Sequence, residues 1–90
     1  MSATFASRES SILGRMIRPD RGDLPEAVAE WMLKAEFDEV DRDRIRELSE
    51  KAREGSLTPE EDAELEDYGD VARMLELMKA KAKASLRRSA

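Results

Sequence analysis

The segment KAREGSLTPEE, Lys51–Glu61, decides the fold because it ends one helix and begins another. Gly55 follows a helical run and can adopt the left-handed conformation that closes a helix without steric cost. Thr58 is placed to cap the next helix, and Pro59 suits the first helical position, where its missing N–H costs nothing. Glu61 lies three residues after Thr58 and completes a capping box. These signals predict a structural turn rather than an active loop, made of Gly55, Leu57, Thr58, Pro59 and Glu61.

Apolar residues recur at helical spacing on both sides of this turn. The periodicity predicts helices at about 39–54 and 59–86, with charged residues covering most of the first one. At 1.5 Å per residue the second helix would be about 42 Å long and the first about 24 Å. The pattern therefore predicts a long antiparallel helical hairpin with an overhang of about 18 Å.

Two shorter helices are predicted before the hairpin, at about 8–18 and 24–36, and both are expected to pack on it. Four apolar residues share one face of the first helix: Ile12, Leu13, Met16 and Ile17. Pro19 must end that helix, and Asp23 is placed to cap the next. The second helix has an apolar stripe formed by Val28, Trp31, Met32 and Ala35. Trp31, the single tryptophan, is interpreted first as a core anchor and second as a binding platform.

The chain of 90 residues predicts one small all-α domain, residues 1–90, in which residues 1–7 and 87–90 are frayed. It contains no cysteine, histidine, asparagine or glutamine, which removes thiol chemistry and the commonest general base and transition-metal ligand. No stretch has the pattern of a signal peptide or a membrane span. We therefore expect a cytoplasmic protein with no cofactor, no small-molecule substrate and no membrane contact.

Charge is strongly segregated along the sequence. Residues 1–22 carry a net +2 (four basic, two acidic), residues 23–70 a net −12 (six basic, eighteen acidic), and residues 71–90 a net +5 (six basic, one acidic). An acidic middle between basic ends argues against broad binding of nucleic acid and suits a basic protein partner.

Candidate chemistry is sparse. Asp62, Glu66 and Asp70 form an i,i+4 row that could hold a hard cation, although a solvated acidic face is the favoured interpretation. Catalysis by two carboxylates needs a cleft, for which a small helical domain has little room. A DNA-binding helix-turn-helix is disfavoured because Glu60 and Glu61 would open the recognition helix and repel phosphate. The sequence therefore predicts no catalytic, cofactor or metal residues.

The segment Asp41–Leu86 resembles a family of small bacterial helical-hairpin proteins with an E-G-x-L-T-x-E-E turn and a late K-A-x-x-S-L. The earlier ILGRMIRP and LPEAV segments are also similar to that family. Some members are encoded beside HNH-type nuclease genes, so the resemblance implies an association and no activity.

The leading functional hypothesis is a non-enzymatic protein–protein interaction module or small accessory subunit, which could also self-associate. The second half of the long helix has more apolar surface than its hairpin mate can cover, and Leu77 lies off its main stripe. The partner-binding candidates are Met74, Leu77, Met78 and Trp31. The alternatives are an antitoxin- or immunity-like acidic inhibitor of a basic nuclease and, third, a weak nucleic-acid binder that uses the basic ends.

Overall fold

The computed structural model describes residues 8–89, which form four α-helices and no strand. They are α1 (Arg8–Ile17), α2 (Glu26–Leu33), α3 (Glu39–Glu54) and α4 (Pro59–Ser89). The prediction of an all-α fold is confirmed, and α4 packs against each of the other three helices. The molecule measures 48 × 28 × 15 Å, and α4 alone is about 46 Å long, so α4 runs along the longest dimension.

The turn between α3 and α4 has the predicted chemistry. Gly55 closes α3 in the left-handed conformation, with φ 71°. The Thr58 hydroxyl accepts a hydrogen bond from the Glu61 N–H at 3.1 Å, and the Glu61 carboxylate accepts one from the Thr58 N–H at 3.0 Å. Lys51 forms an ion pair with the other oxygen of Glu61 at 2.5 Å. The turn is therefore held by a complete capping box and one ion pair.

Helix α3 has the predicted bounds because Asp38 caps it, accepting a hydrogen bond from the Asp41 N–H at 3.1 Å. Leu48 is its one fully buried side chain. Two polar contacts join α3 to α4 further from the turn. Arg44 forms two hydrogen bonds with Glu64, at 2.8 and 2.7 Å, and the Tyr68 hydroxyl donates to Asp41 at 2.7 Å.

The second apolar cluster joins α2 to the far half of α4. Ala29 and Met32 of α2 meet Ala82 of α4, and all three are buried. Five further side chains pack around them: Leu24, Leu33, Ala35, Met78 and Leu86. The interpretation of Trp31 as a core anchor is wrong, because its side chain is 67% exposed. Small residues on both helices let α2 approach α4 through Ala29, which turns Trp31 roughly 150° away from the contact.

Helix α2 is shorter than predicted, and Asp23 does not cap it. Leu24 precedes a proline and is therefore disfavoured in helical conformation, so the helix cannot begin at Leu24 as predicted, and it begins at Glu26. Pro25 occupies the cap position without a side-chain hydrogen bond. The Asp23 carboxylate instead pairs with Lys81 of α4 at 2.5 Å.

The first and the last helix differ slightly from their predicted bounds. Helix α1 ends at Ile17, and Arg18 follows with φ 57°, in the left-handed region. Helix α4 continues three residues beyond the predicted end at 86, to Ser89. The predicted fraying of residues 1–7 lies outside the described residues. Over residues 8–89 no helix is long and apolar enough to cross a membrane.

Candidate interaction surface

Helix α1 turns its small residues toward α4. Ser10 and Gly14 line a groove shared with Met74 and Leu77 of α4. A Cβ atom placed on Gly14 would lie 3.8 Å from Cδ1 of Leu77, which is ordinary van der Waals distance. Helix α1 therefore contacts the middle of α4 through its own least apolar side.

The apolar stripe of α1 consequently lies on the outer and lateral side of this helix. We define it as Ile12, Leu13 and Met16, whose side chains are 41%, 45% and 71% exposed. At 100° per residue the centre of this stripe lies roughly 130° around the helix from Ser10 and Gly14. No residue of α1 is buried, although this helix is strongly amphipathic in sequence. Leu13 also lines a groove with α4, so the stripe is only partly covered within residues 8–89 and Met16 is its most exposed member.

A second exposed apolar pair lies on α2. Val28 and Trp31 are spaced i,i+3 on one helix face, and both are exposed. Tryptophan is enriched among the residues that dominate binding energy at protein interfaces, since it combines a large apolar area with few rotatable bonds. The only tryptophan of the chain thus lies on the surface of the described structure, 67% exposed.

The structure separates the sequence-predicted partner residues. Met78 packs against the buried cluster between α2 and α4. Met74 is half-buried, and Leu77, 37% exposed, lies beneath α1 beside Gly14. Of the predicted set only Trp31 is fully displayed. Helices α1 and α2 therefore cover part of the second half of α4.

A buried lysine fastens the segment between α1 and α2 to α4. Lys81 is 6% exposed, and its ammonium group contacts the Asp23 carboxylate at 2.5 Å and the Arg18 carbonyl at 3.2 Å. One turn later, the buried Ser85 hydroxyl accepts a hydrogen bond from the Leu24 N–H at 3.0 Å and donates one to the Lys81 carbonyl at 2.8 Å. The hydrogen bond from Lys81 holds the pKa of Asp23 below its usual range. We call these contacts the Lys81 clamp.

Gly22 allows the clamp to close. A Cβ atom at this position would lie 2.6 Å from the carbonyl oxygen of Ala84 and 2.9 Å from the backbone nitrogen of Ser85. Contacts that short with backbone cannot be relieved by a side-chain movement. The Arg-Gly-Asp tripeptide at positions 21–23 therefore serves packing within the chain.

Charge is distributed unevenly along α4. Residues 59–70 carry seven acidic and no basic residues, a net −7, whereas residues 71–90 carry a net +5 (six basic, one acidic). Hydrogen bonds from Lys51 and Arg44 lower the pKa values of Glu61 and Glu64. Within residues 8–89, four further acids at this end form no ion pair: Glu60, Asp62, Glu66 and Asp67. The molecule thus has an acidic end at the turn and a basic end at the clamp.

The acidic row on α4 is not assembled as a metal site. Asp70 forms an ion pair with Arg73, and no group of three or more potential metal-ligating side chains occurs within residues 8–89. Asp62 and Glu66 are exposed. The row is therefore a solvated face with one internal ion pair.

Comparisons with known proteins add no assignment to this geometry: no family model, no curated protein and no solved structure matches the chain. The resemblance to small bacterial helical-hairpin proteins accordingly stays a prediction.

Two functional features were missed at the level of sequence. The stripe of α1 was recognised as a helix face but was not counted among partner-binding residues, because a helix face is expected to point inward. Lys81 was counted among the basic residues of positions 71–90 and not singled out, although its i,i+4 relation to Ser85 across the small Ala82 is a usable signal of close packing. Its burial leaves one cation fewer at the C-terminal end for contact with phosphate.

Proposed function

We propose that this protein is a non-enzymatic protein-interaction module, built on an antiparallel helical hairpin of α3 and α4. The reverse order of three contact pairs supports the hairpin: Lys51 with Glu61, Arg44 with Glu64, and Asp41 with Tyr68. Glu61 and Glu64 near the turn and the buried Lys81 have structural partners in this arrangement. The exposed apolar surface on the N-terminal helices is available to another molecule.

One observation carries this proposal. The most amphipathic helix among the described residues leaves Ile12, Leu13 and Met16 between 41% and 71% exposed, while a serine and a glycine face α4. An amphipathic helix in a monomer normally buries its apolar stripe, because that burial supplies most of its stability. Exposed apolar patches of this kind mark interaction sites.

A capture experiment tests the proposal. The immobilised protein is incubated with host extract, and bound proteins are quantified for the wild type, Met16→Glu and Trp31→Glu. Val40→Glu is the matched control, because Val40 is 75% exposed on α3, away from the stripe. We expect at least one protein to be retained by the wild type and by Val40→Glu and to fall at least tenfold with Met16→Glu. Equal capture by all four proteins would contradict this function.

The second candidate function is an acidic inhibitor of a basic protein such as a nuclease. It is favoured by the net −7 on the first twelve residues of α4, where four acids lie outside any ion pair of the described residues. In the same experiment a partner of this kind would be insensitive to Met16→Glu. It would instead be lost with Glu66→Lys combined with Asp67→Lys, and its binding would weaken steeply with salt.

A further inference from the structure

The stripe of α1 lies over the middle of the molecule. The side of α1 that faces α4 contacts a region between Asp67 and Leu77, and the central residue of α4 is Met74. Since α4 spans nearly the whole 48 Å length, the stripe is about equally far from the acidic and the basic end. A twofold axis that passes through the stripe at right angles to α4 would therefore turn a second copy end for end about its own centre.

That rotation brings opposite charges together. On its acidic half α4 presents Glu66 and Asp67, which are exposed and form no ion pair among the described residues. At the basic end Arg18 and Arg21 of the segment between α1 and α2 lie near Arg88 of α4, and all three are exposed. An end-for-end pair places the acidic end of each copy beside the basic end of the other, twice. Two copies in this orientation therefore have complementary charges.

The sequence of α1 agrees with the same symmetry. The stripe residues Ile12 and Leu13 are adjacent, so a twofold axis between them lets each contact the other's equivalent in the second copy. An antiparallel crossing at this point places Glu9 opposite position 16 and close to Arg15 of the second copy. The helix therefore has an apolar centre with an acidic residue on one side and a basic residue on the other, as an isologous contact requires.

From these observations we infer that α1 is the centre of a twofold-symmetric dimer interface whose occupant is a second copy of this chain. The inference rests on the proposed interaction function and names its partner. A standard interface buries about 800 Å² per partner, and three exposed side chains per copy supply less area than that. The dimer is accordingly weak, with a dissociation constant on the order of 10 µM at low salt, where charge pairing adds to apolar burial.

Sedimentation equilibrium of the purified full chain, from about 1 to 500 µM, tests the dimer. We expect a monomer–dimer equilibrium for the wild type and for Val40→Glu, weakened severalfold when the salt concentration rises from about 0.05 to 0.5 M. Met16→Glu should weaken it at least tenfold, while circular dichroism stays unchanged because Met16 has no buried contact. A wild type that is monomeric throughout, or a Met16→Glu variant that dimerises normally, would overturn the inference.

A charge-exchange pair tests the orientation. The first variant combines Arg21→Glu with Arg88→Glu, so both of its ends are acidic. The second combines Glu66→Lys with Asp67→Lys, so both of its ends are basic. Each alone should dimerise at least tenfold more weakly than the wild type, and an equimolar mixture should form a heterodimer of restored affinity. A mixture that associates no better than its components would overturn the end-for-end arrangement.

These outcomes separate the dimer from the function on which it rests. A monomeric wild type that still captures a host protein through Met16 disproves the second copy as occupant and leaves the interaction function standing. If dimerisation depends on Met16 but capture from extract does not, the inference is supported. Self-association is then the only function of the stripe.

Discussion

At the scale of single residues, three glycines have three different structural roles, which the amino-acid sequence alone does not distinguish. Gly55 supplies a left-handed conformation, Gly22 permits backbone to touch backbone, and Gly69 lies inside α4 with only the end of the Arg73 side chain within 4 Å of an added Cβ. The cost of adding a methyl group should therefore differ in size and in sign among them.

Gly22→Ala should destabilise the protein by about 1–3 kcal/mol, because the added methyl group overlaps the α4 backbone at Ala84. Gly69→Ala is the matched control and should stabilise by about 0.5–1 kcal/mol, since alanine loses less backbone freedom in a helix. Urea denaturation followed by circular dichroism measures both. Similar midpoints for the two variants would mean that the segment before α2 does not lie against α4.

Gly55→Val combined with Thr58→Ala should cost about 2 kcal/mol or more, from a forced left-handed residue and a lost helix cap. Nothing lies within 4 Å of a Cβ at Gly55, so the cost at that position is conformational rather than steric. The measurement is the midpoint of chemical denaturation. An unchanged midpoint would contradict the capping box between Thr58 and Glu61.

At the scale of elements, α4 supports the other three helices through contacts of different quality. Helix α3 buries Leu48 and forms charged hydrogen bonds, α2 buries Ala29 and Met32, and α1 buries nothing. Stability should therefore be concentrated in α2, α3 and α4. Substitutions or local unfolding in α1 should lower the stability of the fold least.

Leu48→Ala should destabilise by about 2–4 kcal/mol, because it removes a completely buried side chain and leaves a cavity between α3 and α4. Val40→Ala on the same helix is the control and should stay within about 0.5 kcal/mol of the wild type, since Val40 is mostly in water. Thermal and urea unfolding report both changes. Equal effects would mean that α3 packs on α4 through a different face.

The same contrast shows how far sequence reasoning reaches. The turn and the bounds of α3 were predicted correctly because caps act within three or four residues, as with Thr58 and Glu61 or Asp38 and Asp41. The exposure of Trp31 and the role of Asp23 were not predicted correctly, because each depends on a partner about 50 residues or more away in the chain. Ala82 selects which face of α2 packs inward, and Lys81 takes the carboxylate that would have capped α2. The stripe of α1 was visible in the sequence, but its outward direction is a property of the packed structure.

At the scale of the whole molecule, the ion pairs at both ends make stability depend on acid. Hydrogen bonds from Lys81, Lys51 and Arg44 hold the pKa values of Asp23, Glu61 and Glu64 below their ordinary values. For each carboxylate the folded pKa is lower than the unfolded one, so the unfolded chain binds more protons as the pH falls through these values.

We therefore expect the free energy of unfolding to be nearly constant from about pH 5 to 8 and to fall below about pH 4.5. The loss should continue until the pH passes below the folded pKa values. Glu61→Gln keeps an acceptor for the Thr58 N–H but removes the charge, so its stability should depend less on pH in this window. Urea midpoints measured between pH 3 and 7 test this, and parallel curves for variant and wild type would contradict it.

The Lys81 clamp also has a consequence for the order in which the chain folds. Contacts across the turn join residues 10, 20 and 27 positions apart, whereas the clamp joins Lys81 and Ser85 to residues 58, 61 and 63 positions earlier. Closing a long loop costs more entropy than closing a short one, so local contacts are favoured early in folding. In stopped-flow experiments Thr58→Ala should slow refolding, whereas Ser85→Ala should mainly accelerate unfolding. The clamp would then be the last contact made and the first released, and its release would free the segment that carries α1.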